Sequence, residues 1–462
     1  MTRPITPLAA FARFVADAVP PPAARAVAAR AFLDTIGVIL AGVPEDASRI
    51  VREVIDADGA GPCVVFGTST LASPSNAAFA NGTAAHALDF DDMCFVSLAH
   101  PSAPLVPACV ATAEFAGASG RAVLDAYIVG FELETRLGRV MNPRHYERGW
   151  HCTSTLGAIG AAAACSRLLR LDPAATAHAL AIAASAASGL KENFGTMVKP
   201  LHAGLASRNG VVAALLAKQG MTASAQAIDG AQGFLHAFDS AHDAIDDAAD
   251  DLGTRWDIVD TGITVKLYPS CAGTHPTLDA ILDLRRRERF TADDVDRVDV
   301  GVDSITPTVL IYERPASGLE AKFSMPFCAA AAIVLGEVNV DTFDARQLGD
   351  ARIASLMRRV TMRVDPSLDG VGPPLTEARV TITRVDGRAL QQDAHGARGY
   401  PERPASGDDL AAKFTACARR VLDAEETERA FRRLQGLELI DEARVLTRAL
   451  IRPGARARVS RS

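Results

Sequence analysis

Residues 298 to 303 read VDVGVD, and this short run decides what kind of fold the chain has. Val298, Val300 and Val302 alternate with Asp299, Gly301 and Asp303, the period of two that belongs to a strand with one buried and one wet face. The alternation recurs at Val360, Met362 and Val364, and again at Val380 and Ile382. That last run ends in Val385-Asp386-Gly387-Arg388, where Asp-Gly is a strong hairpin signal. Helical stretches at 276 to 288 and 326 to 337 lie between the strands. A segment of mixed α and β character is therefore expected over residues 263 to 398.

On both sides of it the period is 3.6. Ala24 to Leu40, Val106 to Ala116, Ala122 to Leu137, Thr155 to Leu169, Pro173 to Ser188 and Ala203 to Lys218 read as helices. Asp172-Pro173 offers a capping carboxylate followed by a proline at the first helical position. Small residues at 161 to 164 and 183 to 187 let such helices approach closely. After Pro401 and Pro404 the helical pattern returns at 408 to 422 and 425 to 437, and from Arg452 to Ser462 a basic, polar end is expected to fray. At 462 residues the chain is too long for one ordinary core, so two domains are expected. The fold class is mainly α. Periodicity alone leaves open which domain takes the last helices.

Composition excludes several functions. The net charge of −7 and the absence of a basic block give no footprint for nucleic acid or an anionic membrane. An anionic substrate must then be held by a local cluster of Lys, Arg and His. The eight cysteines show no CxxC and no regular spacing, which disfavours a zinc ribbon, a compact iron–sulfur motif and a disulfide scaffold. Met1 to Phe14 has no sustained apolar core before three prolines, and the alanine run at 158 to 165 meets Arg167 and Arg170 before it could span a bilayer. A cytoplasmic protein is expected.

Four stretches carry polar groups where a bundle prefers apolar ones. In HALDFDDMCFVSLAHPSAPLVP (86 to 107), Asp89 and His100 suit an orienting carboxylate and an acid/base imidazole, with Asp91 and Asp92 as support or as turn caps. A hard-cation site competes, yet the glycine and glutamate of a calcium loop are absent. In GWHCTSTLG (149 to 157), His151 precedes hydroxyls that can cap a helix beginning near Thr155. In KENFGTMVKPLHAG (191 to 204), Lys199 sits among apolar neighbours, where a lysine is costly unless it meets an anion. In VKLYPSCAGTHP (265 to 276), at the boundary between the helical and mixed parts, Lys266 could clamp a carboxylate. Tyr268, Ser270 and His275 could orient one, and Cys271 could serve as a nucleophile.

The order ALDFDD…HPS, GWHCTSTLGA, MVKPLHAGLASRNG, KLYPSCAGTHP and AKFSMPF resembles the MmgE/PrpD family across nearly the whole chain. That family contains 2-methylcitrate dehydratase, cis-aconitate decarboxylase and iminodisuccinate epimerase. The resemblance implies a large all-helical domain made from both chain ends (1 to 262 and 399 to 462) and a smaller α+β lid (263 to 398). It also implies a homodimer and a cofactor-free, metal-free site between the domains. Asp89 and His100 match the family's first-motif acid and histidine, His151 the second-motif histidine, and Lys199 and Lys266 its two lysines. Met93 stands where decarboxylase-like members carry threonine, Cys271 where the animal decarboxylase has histidine, and Tyr312 lies near a tyrosine of that enzyme. These departures favour a hydro-lyase of the 2-methylcitrate dehydratase type acting on a small di- or tricarboxylate. The decarboxylase, an epimerase or isomerase, and a non-catalytic carboxylate-binding protein are the alternatives. In the expected mechanism His100 and His151 move protons, Asp89 orients, and Lys199 and Lys266 hold carboxylates, helped by Tyr268, Ser270, Cys271 and His275.

Overall fold

The computed structural model describes residues 6–238 and 245–452. Numbering only helices of ten residues or more, the chain opens with α1 (Pro7–Asp17), α2 (Pro22–Gly42) and α3 (Asp46–Asp56). An antiparallel pair follows, β1 (Cys63–Val64) with β2 (Leu71–Ala72). Strands of two residues show no period, so the sequence predicts an all-helical body and the structure adds this small β element to it. Next come α4 (Pro74–His86), α5 (Ser102–Ala116), α6 (Gly120–Met141), α7 (Cys152–Leu168), α8 (Pro173–Ala186) and α9 (Val198–Lys218).

Small side chains set how closely these helices pack. The crossing of α4 with α9 brings backbone against backbone: a Cβ on Gly204 would stand 2.2 Å from Thr83 Oγ1 and 2.5 Å from the Phe79 carbonyl oxygen. A Cβ on Gly82 would stand 2.9 Å from the Gly204 Cα. No other residue fits there. The close approach carries the last residue of α4, His86, to the first turn of α9.

Two helices begin earlier than the sequence predicts. α7 starts at Cys152, so Thr153, Ser154 and Thr155 lie inside its first turn and His151 is the residue that precedes it. α9 starts at Val198, which makes Lys199 and His202 helical neighbours three residues apart on one face. Flanking hydroxyls and prolines hide both starts, because such residues suit loops and first turns equally.

The α+β part carries α10 (His275–Glu288), β3 (Val295–Val302), α11 (Met325–Leu335), β4 (Val360–Val364), β5 (Glu377–Arg384) and β6 (Ala389–His395). The strand order is β4-β3-β5-β6, parallel between β3 and β4 and antiparallel elsewhere. Val298, Val300, Val302, Val380 and Ile382 are buried on one face, and α10 and α11 pack against the sheet. On the outer face ion pairs such as Arg379–Asp393 meet solvent. The turn between β5 and β6 places Gly387 at φ 82°, as Asp386-Gly387 predicts.

The chain then returns to its beginning. α12 (Gly407–Ala418) lies on α2, where Lys413 Nζ sits 2.7 Å from Asp34 Oδ1, and α13 (Ala424–Gln435) follows. The frayed end expected beyond Arg452 lies outside the described residues. All eight cysteines are free and buried. Among the described residues no single helix is long and apolar enough to cross a membrane.

Gly204→Val should lower the free energy of unfolding by about 1 to 3 kcal/mol, the usual cost of overpacking. Urea titration of the purified variant reads this directly, and an unchanged midpoint would mean that α4 and α9 do not touch as described.

Candidate active site

The starts of three helices and the end of a fourth meet at one place. His100 stands two residues ahead of α5, and its backbone N–H donates to Thr153 Oγ1 (3.0 Å) in the first turn of α7. His151, just before α7, has its Nδ1 3.1 Å from Nδ1 of His202 in the first turns of α9. Lys199 Nζ, also there, donates to Nε2 of His86 (2.8 Å) and to Asp89 Oδ1 (2.6 Å). Helix N-termini carry partial positive charge, so their meeting favours anions and disfavours protonated imidazoles.

Asp89 is the hub. It sits at φ 52° in the loop after α4, one of few non-glycine residues in the left-handed region. Its Oδ2 is 3.2 Å from Lys266 Nζ, which also donates to the Asp89 carbonyl oxygen at 3.0 Å. Burial pushes this carboxyl up, but Lys199 and Lys266 outweigh burial and hold it well below the usual range.

The sequence assigns Asp89 to orient His100, whereas in the structure Asp91 lies closer to that ring. Asp89 Oδ1 is 3.8 Å from His100 Nε2 and is claimed by the two ammonium groups, the strongest charges within reach. Asp91 Oδ2 lies 3.3 Å from His100 Nδ1 and 2.7 Å from His86 Nδ1. Burial raises the Asp91 carboxyl, yet His86 and His100 together hold it far below the carboxylate range. The pattern fixes one tautomer. Nε2 of His86 faces an ammonium, which only donates, so the His86 proton sits on Nδ1 and is given to Asp91.

The imidazoles are neutral at pH 7. Burial pushes His86 down to about 3, with Asp91 opposing and Lys199 assisting. Burial, with Lys199 next, lowers His151 far below its ordinary value and takes His202 down to about 4. His100 is lowered as well, chiefly by burial. Asp92 goes the other way: burial raises it to about 8, against the hydrogen bonds from Ser102.

One cavity collects these groups. Asp89, His100, Tyr146, His151 and Lys199 form a polar floor from the helical part. Met93, Leu98 and Phe194 flank it, and Cys271, Ala272, Val309, Phe323 and Leu375 cover it from beyond residue 262. The space between atoms is about 320 Å³, of which only about 20 Å³ is open to the centre of a water molecule. Nε2 of His151 is buried without a hydrogen-bond partner. A buried donor or acceptor left so is costly, and on a cavity wall it is the atom ready for a ligand.

The structure brings together Asp89, His100, His151, Lys199 and Cys271; Lys266 meets the cavity only through Asp89. Tyr268, Ser270 and His275 do not line it, because each has a partner of its own within the α+β part. Tyr268 donates to Asp279 Oδ1 at 2.6 Å and accepts from Arg398 at 2.9 Å. Ser270 pairs with Thr274 (2.8 Å), and His275 Nε2 donates to the Ser270 carbonyl at 3.2 Å. Burial pushes the Cys271 thiol up to about 11, which leaves it un-ionised and a poor nucleophile. The departures at Met93 and Cys271 fall here, both lining the cavity, and Tyr312 donates to the Phe194 carbonyl oxygen (2.8 Å) at its edge.

Ligand atoms of His86, Asp89, Asp91 and His100 lie within 4.8 Å of one another, a grouping that can hold a metal ion. Lys199 Nζ is already hydrogen-bonded to two of the four and supplies the positive charge they call for. Sequence reasoning missed His86, His202 and Lys322. The first precedes the acidic run by three residues, and the second follows Lys199 by three within one helix, so both were legible from their spacing. Lys322, buried and donating to the carbonyls of Leu88 and Pro269 at 2.8 Å each, has no such signal.

The MmgE/PrpD N-terminal domain matches residues 7–244, and the MmgE/PrpD C-terminal domain matches residues 268–437. The chain belongs to the MmgE/PrpD family. Among its relatives there, the cis-aconitate decarboxylase of Mus musculus is 30% identical over 404 residues, covering 84% of this chain and 80% of that protein. The cis-aconitate decarboxylase of Homo sapiens is 28% identical over 439 residues, covering 92% and 89%. That of Aspergillus terreus is 26% identical over 417 residues, covering 85% and 84%. These relatives are lyases of an enzyme family, and the MmgE/PrpD assignment accounts for both parts of the chain.

Lys199→Met should cost about 3 kcal/mol of stability, since it strands a buried carboxylate beside its second cation alone. In a double-mutant cycle with Asp89→Asn, the double variant should lose less stability in urea titrations than the sum of the two single losses, although Lys266 is then left without its carboxylate. A double loss equal to that sum would show that Asp89 and Lys199 are not coupled.

Proposed function

We propose that this protein is a lyase that releases CO2 from a small unsaturated di- or tricarboxylate, using acid/base chemistry of its own side chains. The observation that carries the reading is that Lys199 and two titratable imidazoles, His100 and His151, border one narrow cavity. The names of the relatives weigh toward decarboxylation, so it takes precedence over the dehydration that the sequence alone puts first.

In this reading Lys199 holds a carboxylate that stays on the product. The departing carboxylate gives its bonding electrons to the carbon chain, and a carbon of that chain takes up a proton. An imidazolium delivers it. In the empty site the imidazoles are neutral, but a bound anion restores their basicity and draws a proton in. His151 is taken as the donor because its free Nε2 belongs to a ring whose Nδ1 is held by His202, while Asp91, 3.3 Å from His100 Nδ1, stabilises the charged form of His100. Positioned acid catalysis supplies about 10²- to 10⁴-fold, and orientation with preorganised charge supplies the remainder.

The cavity as it stands has room for about one water molecule. The α+β part is accordingly read as a lid that parts to admit substrate. Opening would break Tyr312 with the Phe194 carbonyl and Lys191 Nζ with Thr308 Oγ1 (3.3 Å) at the edge, and strain the buried bonds of Lys266 to Asp89 and of Lys322 to the Leu88 carbonyl.

The test is CO2 release from cis-aconitate and other unsaturated diacids, where release from none of them would sink the reading. His151→Gln should cut kcat by about 10³-fold while leaving the affinity for substrate within about tenfold. The pH profile carries a sign. The imidazoles of the free enzyme titrate below their ordinary value of about 6.5, and the charged form is the reactive one. kcat/KM should therefore rise by about tenfold per unit as pH falls from 8 to 6.5, with no plateau at 6.5. A profile flat over that range would rule out an imidazolium donor.

A further inference from the structure

The floor and the roof of the cavity are chemically opposite. Among the described residues every charged group and imidazole that lines it comes from the helical part: Asp89, His100, His151 and Lys199. The roof offers Val309, Leu375, Phe323, Ala272 and a thiol, without one charged, hydroxyl or amide side chain. Leu98, from the loop that ends at His100, extends this apolar surface.

The apolar wall is built at a cost. Among the described residues five non-glycine positions have positive φ, and three of them line this cavity: Asp89 at 52°, Leu98 at 49° and Leu375 at 71°. A leucine in the left-handed region costs roughly 1 to 2 kcal/mol, which glycine would avoid. Specific bonds hold both leucines in place. Asp303 Oδ2 accepts from the Leu375 backbone N–H at 2.8 Å, and Cys94 and Ala99 exchange backbone hydrogen bonds of 2.9 and 3.3 Å around Leu98. Strain kept in this way marks a side chain needed for what it meets.

We infer that the wall formed by Leu98, Val309 and Leu375 receives the carboxylate that leaves, so that the substrate's departing group faces the roof while its retained carboxylates face Lys199 and the helix starts. The inference rests on the decarboxylase reading. A carboxylate against hydrocarbon is stripped of water, and CO2, being neutral, loses nothing there. The step balances without an oxidant. The C–C bond to the departing carboxylate breaks, and its electron pair forms a new C=C bond. The electrons of the old C=C bond take the proton from an imidazolium, CO2 leaves, and the imidazole regains its proton from solvent. Negative charge thus moves from the roof toward the floor, where Lys199 meets it.

The experiment is steady-state kinetics with cis-aconitate, following CO2, for the wild-type enzyme, Val309→Thr and Leu375→Asn. Thr matches Val in shape and Asn tolerates the left-handed region, so each adds a polar group to the wall with little change of backbone. The expected result for either variant is that kcat and KM fall together, kcat by about tenfold, because the ground-state carboxylate gains solvation that the transition state cannot use. A rise in KM with kcat unchanged overturns the inference and marks the wall as a seat for a hydrocarbon part of the substrate, leaving decarboxylation intact. Unchanged constants overturn it too. If the wild-type enzyme releases no CO2 from any diacid, the decarboxylase reading fails first and this assignment fails with it. Should one variant not fold, the other decides.

Discussion

The site depends on one buried charge arrangement: a single carboxylate, Asp89, shared by two ammonium groups, Lys199 and Lys266. Taking these charges out of water is expensive, and the attraction between them offsets that expense only when the geometry is close. The close geometry comes from α4 and α9, whose backbones touch at Gly82 and Gly204, so that the end of one helix and the beginning of the other cannot drift apart. With Asp91 ionised nearby, two carboxylates balance the two ammonium groups, and three helix starts add partial positive charge that a substrate carboxylate would meet. The pairing with Asp89 explains why a lysine with only 3% of its surface exposed is tolerated there.

Around this hub the histidines are kept uncharged but within reach of charge. His86 never needs to ionise: an ammonium faces one ring nitrogen and Asp91 the other, which makes it a rigid spacer between two charged groups. His100 and His151 differ from it because each presents a ring to the cavity. Burial chiefly disfavours their protonated form, and a bound anion would oppose it. In the proposed reaction, substrate binding and proton acquisition are thereby linked.

Much of this was legible in the sequence, and the rest was hidden for identifiable reasons. The change of period at Val298 to Val302 and the Asp386-Gly387 turn gave the mixed part, since both follow from backbone geometry local to a few residues. His100, His151, Lys199 and Asp89 stood out because polar residues inside apolar helical surroundings demand partners. The partner assignment did not stand out. Asp89 and Asp91 are two residues apart in an irregular loop, and nothing local says which of them meets the lysines. Tyr268, Ser270 and His275 were expected on the cavity because they share a short segment with Lys266 and Cys271. An irregular segment turns neighbouring side chains in different directions, and only Cys271 reaches the space. The apolar roof left no mark at all: Leu98, Val309 and Leu375 are ordinary residues until the backbone conformation that presents them is known.

The distribution of charge has a kinetic corollary. The chain as a whole carries a formal −7, whereas the cavity floor offers Lys199 and the starts of three helices, all buried. An approaching polyanion is repelled at long range and attracted only on arrival. Added salt shortens the reach of the repulsion, with a Debye length of about 8 Å at physiological ionic strength, but penetrates the enclosed floor little. Moderate salt should consequently hasten encounter without loosening the bound complex, the reverse of the behaviour of enzymes that draw anions in through a basic surface.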